Sequence, residues 1–472
     1  MRLTRRQTLR TLAGAGAAVT AASLGGVIPG TAAAAESQRD WSGEVIERDV
    51  CVIGGGSAGT YTAVRLRDLG RSVVVVEQKD RLGGQCETYT DPVTGLTTDI
   101  GVVIFPDLPI VRDYFGRFGV PLVTATFNGG PAIYADFRTG KVVSGYTPPV
   151  PTALETYVGV LQQYPYLVPG YYLPDPVPGA LLQPWGEFVA ANGLSSIVQL
   201  VAEYAQGFNE ILQLPTLFIL RYFGLHVVEN ILAGSFLTTP DNDNSALYHA
   251  ATAFLGQDVL RSTTVVASQR GDSGVRLLAT GPRGPVTINA GKIVITIPPR
   301  PSTLAAFGLD ARELSLFSRF RQGNYYTGLV RLPGIPDQTT VLNIGANTPY
   351  NLAPLPALYG ISPSSVPGLF NVKFGSNVPL TDFQVQAGIL ESLGRLQSAG
   401  TIPATRPAFA DYASHTPYEL TVSAPDIAAG FYSSLYGLQG RRSTYWNGAT
   451  FQAHDSALIW QFTETLLPAI KG

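Results

Sequence analysis

The sequence is poor in the side chains that most often carry chemistry alone, with two cysteines, four histidines and one methionine in 472 residues. Cys51 and Cys86 form no C-x-x-C pair, which excludes dithiol redox chemistry and a disulfide framework. Cys51 falls in an apolar run that reads as a buried strand, and this disfavours a Cys51–Cys86 bridge. The histidines (His226, His249, His415, His454) are scattered, without H-E-x-x-H spacing or a Ser-His-Asp order. No metal site and no hydrolytic triad is therefore expected, and each histidine reads first as a structural residue. Met1 is the only methionine, which suits oxidising surroundings and equally suits compositional drift. Charged residues make up only 14%, with Lys+Arg 32 against Asp+Glu 34, too balanced for a nucleic-acid surface. With 45% hydrophobic residues, the chain reads as a well-buried globular enzyme of two interleaved domains.

What is present is concentrated between Asp49 and Glu77. Val50 to Ile53 reads as a buried parallel strand, Gly54-x-Gly56-x-x-Gly59 follows at once, and helical periodicity runs from Ser57 to Gly70. Val73 to Val76 is a second buried strand, ending on Glu77. Gly54 permits the tight strand-to-helix turn, Gly56 admits a pyrophosphate to the backbone, and Gly59 lets helix pack on strand. Ser57 and Ala58 open the helix, whose partial positive charge favours phosphates. Glu77 stands where a carboxylate accepts ribose hydroxyls, with Gln78 beside it. A dinucleotide site follows from this context.

Arg81-Leu82-Gly83-Gly84-Gln85 comes next, and its glycine doublet again lets backbone pass close to a ligand. Together these motifs resemble the FAD-dependent amine oxidase and phytoene desaturase superfamily. Gly437 to Gly448 (G-L-Q-G-R-R-S-T-Y-W-N-G) looks like that superfamily's C-terminal flavin-contacting segment. It is most similar to the branch of polyunsaturated fatty acid isomerase and the β-cyclopiazonate dehydrogenase-like proteins. The resemblance implies an α/β fold: a Rossmann-like FAD-binding domain of the glutathione-reductase/amine-oxidase type, interleaved with an α+β substrate domain of antiparallel sheet plus helices. It implies non-covalent FAD, since no cysteine follows Cys86 to form a C-terminal thioether. It also places Gly101 beside the isoalloxazine, Val265 at the adenine, and Gly448, Asp455 and Ser456 at the flavin end. His454, Tyr325, Tyr326, Tyr445 and Trp446 become pocket candidates. Two departures from the pattern matter. Ala449 replaces the acid that usually contacts the ribityl chain, leaving Asp455 as a substitute. Between Phe118 and Phe137 there is no Lys, Arg or His to fix a carboxylate as the fatty acid isomerase does, which disfavours a free fatty acid.

Residues 1–35 read as a twin-arginine export signal: Arg5-Arg6 in a basic start, an Ala/Gly-rich uncharged run from Thr11, and A-x-A options ending at Ala34 or Ala35. Its removal takes Arg2, Arg5, Arg6 and Arg10 away and leaves a more acidic chain without a stable membrane span. That route carries folded proteins, so FAD leaves with the chain whereas a diffusible nicotinamide has no supply outside; this selects FAD.

The expected FAD-binding domain comprises residues 36–105, 245–300 and 426–472, and the substrate or cap domain 106–244 and 301–425. Pro148 to Trp185 reads as a rigid proline- and aromatic-rich loop layer or an apolar lid. Trp185 to Tyr204 and Leu212 to Ala233 read as buried helices, Leu260 to Val266 as a strand, and Asp382 to Leu396 as a helix. Ala457 to Ile470 reads as a final helix capped at His454-Asp455-Ser456. Three functions compete: an FAD oxidase or dehydrogenase taking a hydride from a mostly apolar small molecule, a flavin isomerase without net redox change, and a non-catalytic flavoprotein. Oxidation is favoured by analogy with the superfamily.

Overall fold

A computed structural model describes residues 43–126 and 130–472. The export signal expected over residues 1–35 lies outside the described residues. Two sheets organise the rest. In the first, parallel strands Glu44–Ile53, Val73–Val76 and Val259–Leu260 lie side by side, and Gly284–Ile295 flanks Glu44–Ile53 on its other edge. Val50 to Ile53 is buried because strands cover both its edges and helices both its faces. The antiparallel meander Thr264–Gly271, Gly274–Gly281 and Gly284–Ile295 extends this sheet, and Thr444–Trp446 pairs with Ile293 to Ile295.

The second sheet is built on Arg321–Arg331, which pairs with Leu369–Ser376, Ala408–Ser414 and Tyr418–Thr421. Alternation gives it two different faces. Tyr326, Val330, Val372 and Phe374 pack under the helix Asp382–Ser398. Leu329, Leu369 and Ala413 instead meet Ile100 and Tyr89, from the segment that follows the glycine doublet.

Several expectations need correction. The run Trp185 to Tyr204 is broken into Trp185–Ala191 and Val198–Tyr204, where Gly193 takes φ +67°. Leu212 to Ala233 splits into Thr216–Tyr222 and Leu225–Ala233, bent by 47° at Phe223-Gly224. Among the described residues no single helix is long and apolar enough to cross a membrane, and this bent pair is mostly core. The layer from Pro148 to Trp185 contains a helix, Leu154–Leu161, whose proline-rich flanks masked its period. The strand expected over Leu260 to Val266 is two, because Ser262 at φ +50° turns the chain from one edge of the sheet to the other.

Leu304, Phe307, Leu316 and Phe317, past the expected boundary at 301, share one core with the nucleotide strands and the cap helices. Glu313, on the helix Ala311–Phe317, takes a bidentate bond from Arg270 at 2.9 and 2.7 Å. Their side chains are 0% and 2% exposed, with Arg270 also donating to Phe307 O and Glu313 accepting from Asp310 N–H. Truncating one partner strands the other charge, so Glu313→Ala should lower unfolding free energy by about 3–5 kcal/mol. The double variant Arg270→Met/Glu313→Leu should lose far less; urea unfolding of both decides.

Candidate functional site

The site begins where the first sheet meets its glycine loop. Gly54 adopts φ +96°, and a Cβ there would lie 2.8 Å from Thr296 Oγ1, which itself donates to Ile53 O and Gly54 O. The helix Ser57–Asp68 starts at Gly56 without a side-chain cap, so its first N–H groups stay free for an anion. A Cβ on Gly59 would fall 1.8 Å from Gly54 O. Ala58 is buried behind this turn.

A second glycine turn lies against the first. Gly83 N–H donates to Gly55 O at 2.8 Å, and a Cβ on Gly84 would stand 2.7 Å from the Gly56 Cα. Arg81 holds this turn by donating to Cys86 O and Gly84 O and by pairing with Glu87 at 2.6 Å. Glu77, buried at its strand end, accepts Gly55 N–H at 2.6 Å and Lys79 N–H at 2.7 Å, and each oxygen keeps a free lone pair. Gln78 beside it is exposed, and Val265 is buried at the start of its strand, next to the Thr263 N–H that donates to Glu77 O.

The C-terminal helix Ser456–Lys471 packs along the glycine-loop helix, joined to it by Asn447, which donates to Thr62 Oγ1 and Thr463 Oγ1 at 3.2 and 2.7 Å. Ser57 Oγ and Tyr248 OH are buried here without a hydrogen-bond partner. Buried hydroxyls are rarely left so. Two orphaned hydroxyls, an uncapped helix and a backbone cradle fit the pyrophosphate of a dinucleotide, and Ser456 opens the second helix beside them. These residues would hold FAD by backbone N–H groups, hydroxyls and the Glu77 carboxylate.

Gly101 is required where it stands, since a Cβ would meet Gln85 O at 1.7 Å. Gly448, at φ +114°, follows the short strand back toward the loop near Thr296 O. Asp455 caps the C-terminal helix through Leu458 N–H at 3.1 Å and faces His226 Nε2 at 3.5 Å. Its Oδ1 is taken by the cap and its Oδ2 faces His226.

The pocket candidates separate. Tyr325 belongs to the face of the second sheet that looks toward the cofactor loops, with its ring 5.9 Å from His415 and 5.1 Å from Tyr418. Tyr326 points the other way, into the core under Asp382–Ser398, with its hydroxyl on Leu380. Neighbours on a strand cannot both face the same space. Tyr445 and Trp446 are core residues too: Tyr445 OH donates to Ala469 O, and Trp446 packs on Phe317 and under Arg270. Gln439 clamps that strand by bonding both Trp446 N and O, and Arg442 donates to Gly308 O, so this run braces the sheet. His454 packs at a 38° tilt against Tyr418, 4.1 Å between ring centres, and accepts Glu419 N–H at 3.0 Å, while burial pushes its imidazole down to about 3, leaving it neutral.

Two groups the sequence reading set aside are at the site. His415, also pushed down to about 3 by burial and by Lys79 and Arg81, meets Thr327 Oγ1 at 3.1 Å, and Gln85 Nε2 reaches its carbonyl at 3.4 Å. Tyr418 completes the aromatic wall with Tyr325, Phe208 and Tyr222. Strand alternation from Tyr325 to Thr327 was the only sequence signal for that face.

Two outcomes test this geometry. Gly84→Ala should yield protein depleted in FAD, read from the visible-to-ultraviolet absorbance ratio, because the new methyl has only backbone to push against. Gly70→Ala, equally strained at φ +78° but in open space, should retain FAD. Asp99 sits beside Gly101 with one oxygen bonded to Thr88 Oγ1 and Asn244 N–H, the other buried and unpaired. Burial raises its carboxyl from 3.8 to about 8. Between those values the folded chain keeps a proton that the unfolded chain releases, so this group's contribution to stability falls as pH rises through the window. The advantage of Asp99→Asn over the parent in thermal unfolding should grow with pH there, by at most about 1.4 kcal/mol per unit.

The residues 52–118 match the NAD(P)-binding Rossmann-like domain model. The chain is 38% identical over 447 residues to an FAD-dependent oxidoreductase of Cochliobolus heterostrophus, covering 91% of this chain and 92% of that one. It is 34% identical over 430 residues to the β-cyclopiazonate dehydrogenase of Aspergillus oryzae, covering 90% and 93%. Among solved structures it resembles in fold the CLA-producing fatty acid isomerase from P. acnes, with TM-score 0.71 at 18% identity over 89% and 98% of the two chains. A putrescine oxidase variant gives TM-score 0.63 at 15% identity, over 90% and 99%. With a dinucleotide cradle whose glycines and orphaned hydroxyls suit the cofactor those relatives are named for, the chain belongs to the FAD-dependent oxidoreductases.

Proposed function

We propose that this oxidoreductase is exported by the twin-arginine route and oxidises a mostly apolar small molecule. The observation that carries the reading is the aromatic wall of Tyr325, Tyr418, Phe208 and Tyr222, set against the loop that carries Gln85. Such a wall binds a substrate by apolar contact and excludes water from it. When bound, FAD supplies the hydride acceptor at N5. The chain's own part is to hold the substrate and keep the site dry. His415 and His454 stay neutral there and add no competing charge. Nothing in the balance of 32 Lys+Arg against 34 Asp+Glu supports a nucleic-acid partner.

Anaerobic mixing of the purified yellow protein with a library of apolar alcohols, amines and heterocycles should bleach the flavin absorbance, and oxygen or a dye should restore it. A product with a shifted double bond, formed without any oxidant, would replace this reading by an isomerase. For export, Arg5→Lys/Arg6→Lys should leave the chain in the cytoplasm, read by fractionation; unchanged export would remove the twin-arginine assignment.

A further inference from the structure

A half-buried cation on the sheet face that meets the cofactor loop has no counter-charge among the described residues. Lys373 lies in the strand Leu369–Ser376, directly opposite Thr327 on one side and Gly360 on the other. Its neighbours Val372 and Phe374 point into the core under Asp382–Ser398. Lys373 therefore points to the opposite face, the one that carries Tyr325 and Thr327. Thr327 holds His415, and His415 receives Gln85 from the cofactor loop, so the ammonium stands one residue from the contact between sheet and loop.

No described residue neutralises it. Lys373 makes no hydrogen bond or ion pair among the described residues. Burial alone lowers its ammonium, with no carboxylate close enough to raise it again. The buried guanidinium of Arg221 differs in this respect, because Asp455 and Glu419 both act on it. Beside Lys373 the ring nitrogen Nδ1 of the buried His415 is also without a partner. A half-buried ammonium without a counter-ion and a buried ring nitrogen without a partner thus stand on one face, and the buried nitrogen is costly unless a ligand completes it.

We propose that Lys373 is the specificity-determining cation of this site, pairing with an ionised oxygen, a carboxylate or an enolate, at one end of an otherwise apolar substrate. The assignment rests on reading this face as the substrate site. It requires no basic residue between Phe118 and Phe137, where there is none, because the cation arrives from a strand of the sheet instead.

Calorimetric titration of the FAD-loaded enzyme tests it with two matched pairs of probes: hexanoate against hexanamide, and dimedone, ionised at neutral pH, against its monoketone. At least one ionised member should bind about tenfold or more tighter than its neutral twin, and which one does so separates carboxylate from enolate recognition. Lys373→Met should abolish that preference while keeping FAD content and the affinity for the neutral twin; Lys373→Arg should retain part of it. Without ligand, Lys373→Met should melt no lower than the parent, since it removes a half-buried charge that has no counter-ion. Equal binding of both members in both pairs, no binding of any probe, or a preference that survives Lys373→Met overturns the assignment. If apolar substrates bleach the flavin while the ionised probes gain nothing, only the Lys373 assignment falls; if the probes discriminate but no substrate bleaches it, only the oxidation reading falls.

Discussion

The contact of two glycine turns, Gly56 against Gly84, is the constraint from which the functional half of this molecule follows. The backbones approach so closely that a single methyl on Gly84 would sit 2.7 Å from the Gly56 Cα. That closeness brings the uncapped N-terminus of Ser57–Asp68, the Glu77 carboxylate and the doublet's own backbone around one space. It also fixes the direction in which Gln85 leaves the loop, toward the carbonyl of His415 on the other sheet. The two sheets are thus registered to one another through a turn that tolerates no side chain.

A second constraint holds the far end of the chain. Arg270, Glu313 and Arg442 tie the meander, the helix Ala311–Phe317 and the segment before Thr444–Trp446 together in an enclosed ionic cluster. Its geometry is bidentate and its remaining valences go to backbone groups, so the desolvation of the charges is offset. This cluster sets Thr444–Trp446 on the edge of Gly284–Ile295, and Asn447 then links the two long helices. The run Gln439 to Trp446, with the look of a cofactor-contacting segment, contributes mainly by bracing the sheet that carries the cofactor loop.

How much was legible depended on the range of the forces involved. The glycine loop, its helix, both flanking strands, the helix Asp382–Ser398 and the final helix follow from local rules: period, caps and the steric needs of glycine. The seat of Phe307 and Phe317 was not legible, because it depends on Glu313 finding Arg270, 43 residues earlier in the chain. The broken helices were obscured for a similar reason. Apolar residues continue through Phe223-Gly224, and only the packing of each half reveals the bend.

The sequence by itself determined the nucleotide fold and a dinucleotide site, since both are written in short-range spacing between glycines, an acid and two apolar strands. Tertiary structure decided which side chains face the cofactor loop. Tyr325 and Tyr326 are adjacent and chemically identical, yet alternation sends one to the site and the other to the core. His415, Tyr418 and Lys373 lie far apart in sequence from one another or from the loop, and the pairing register of the sheet alone brings them together.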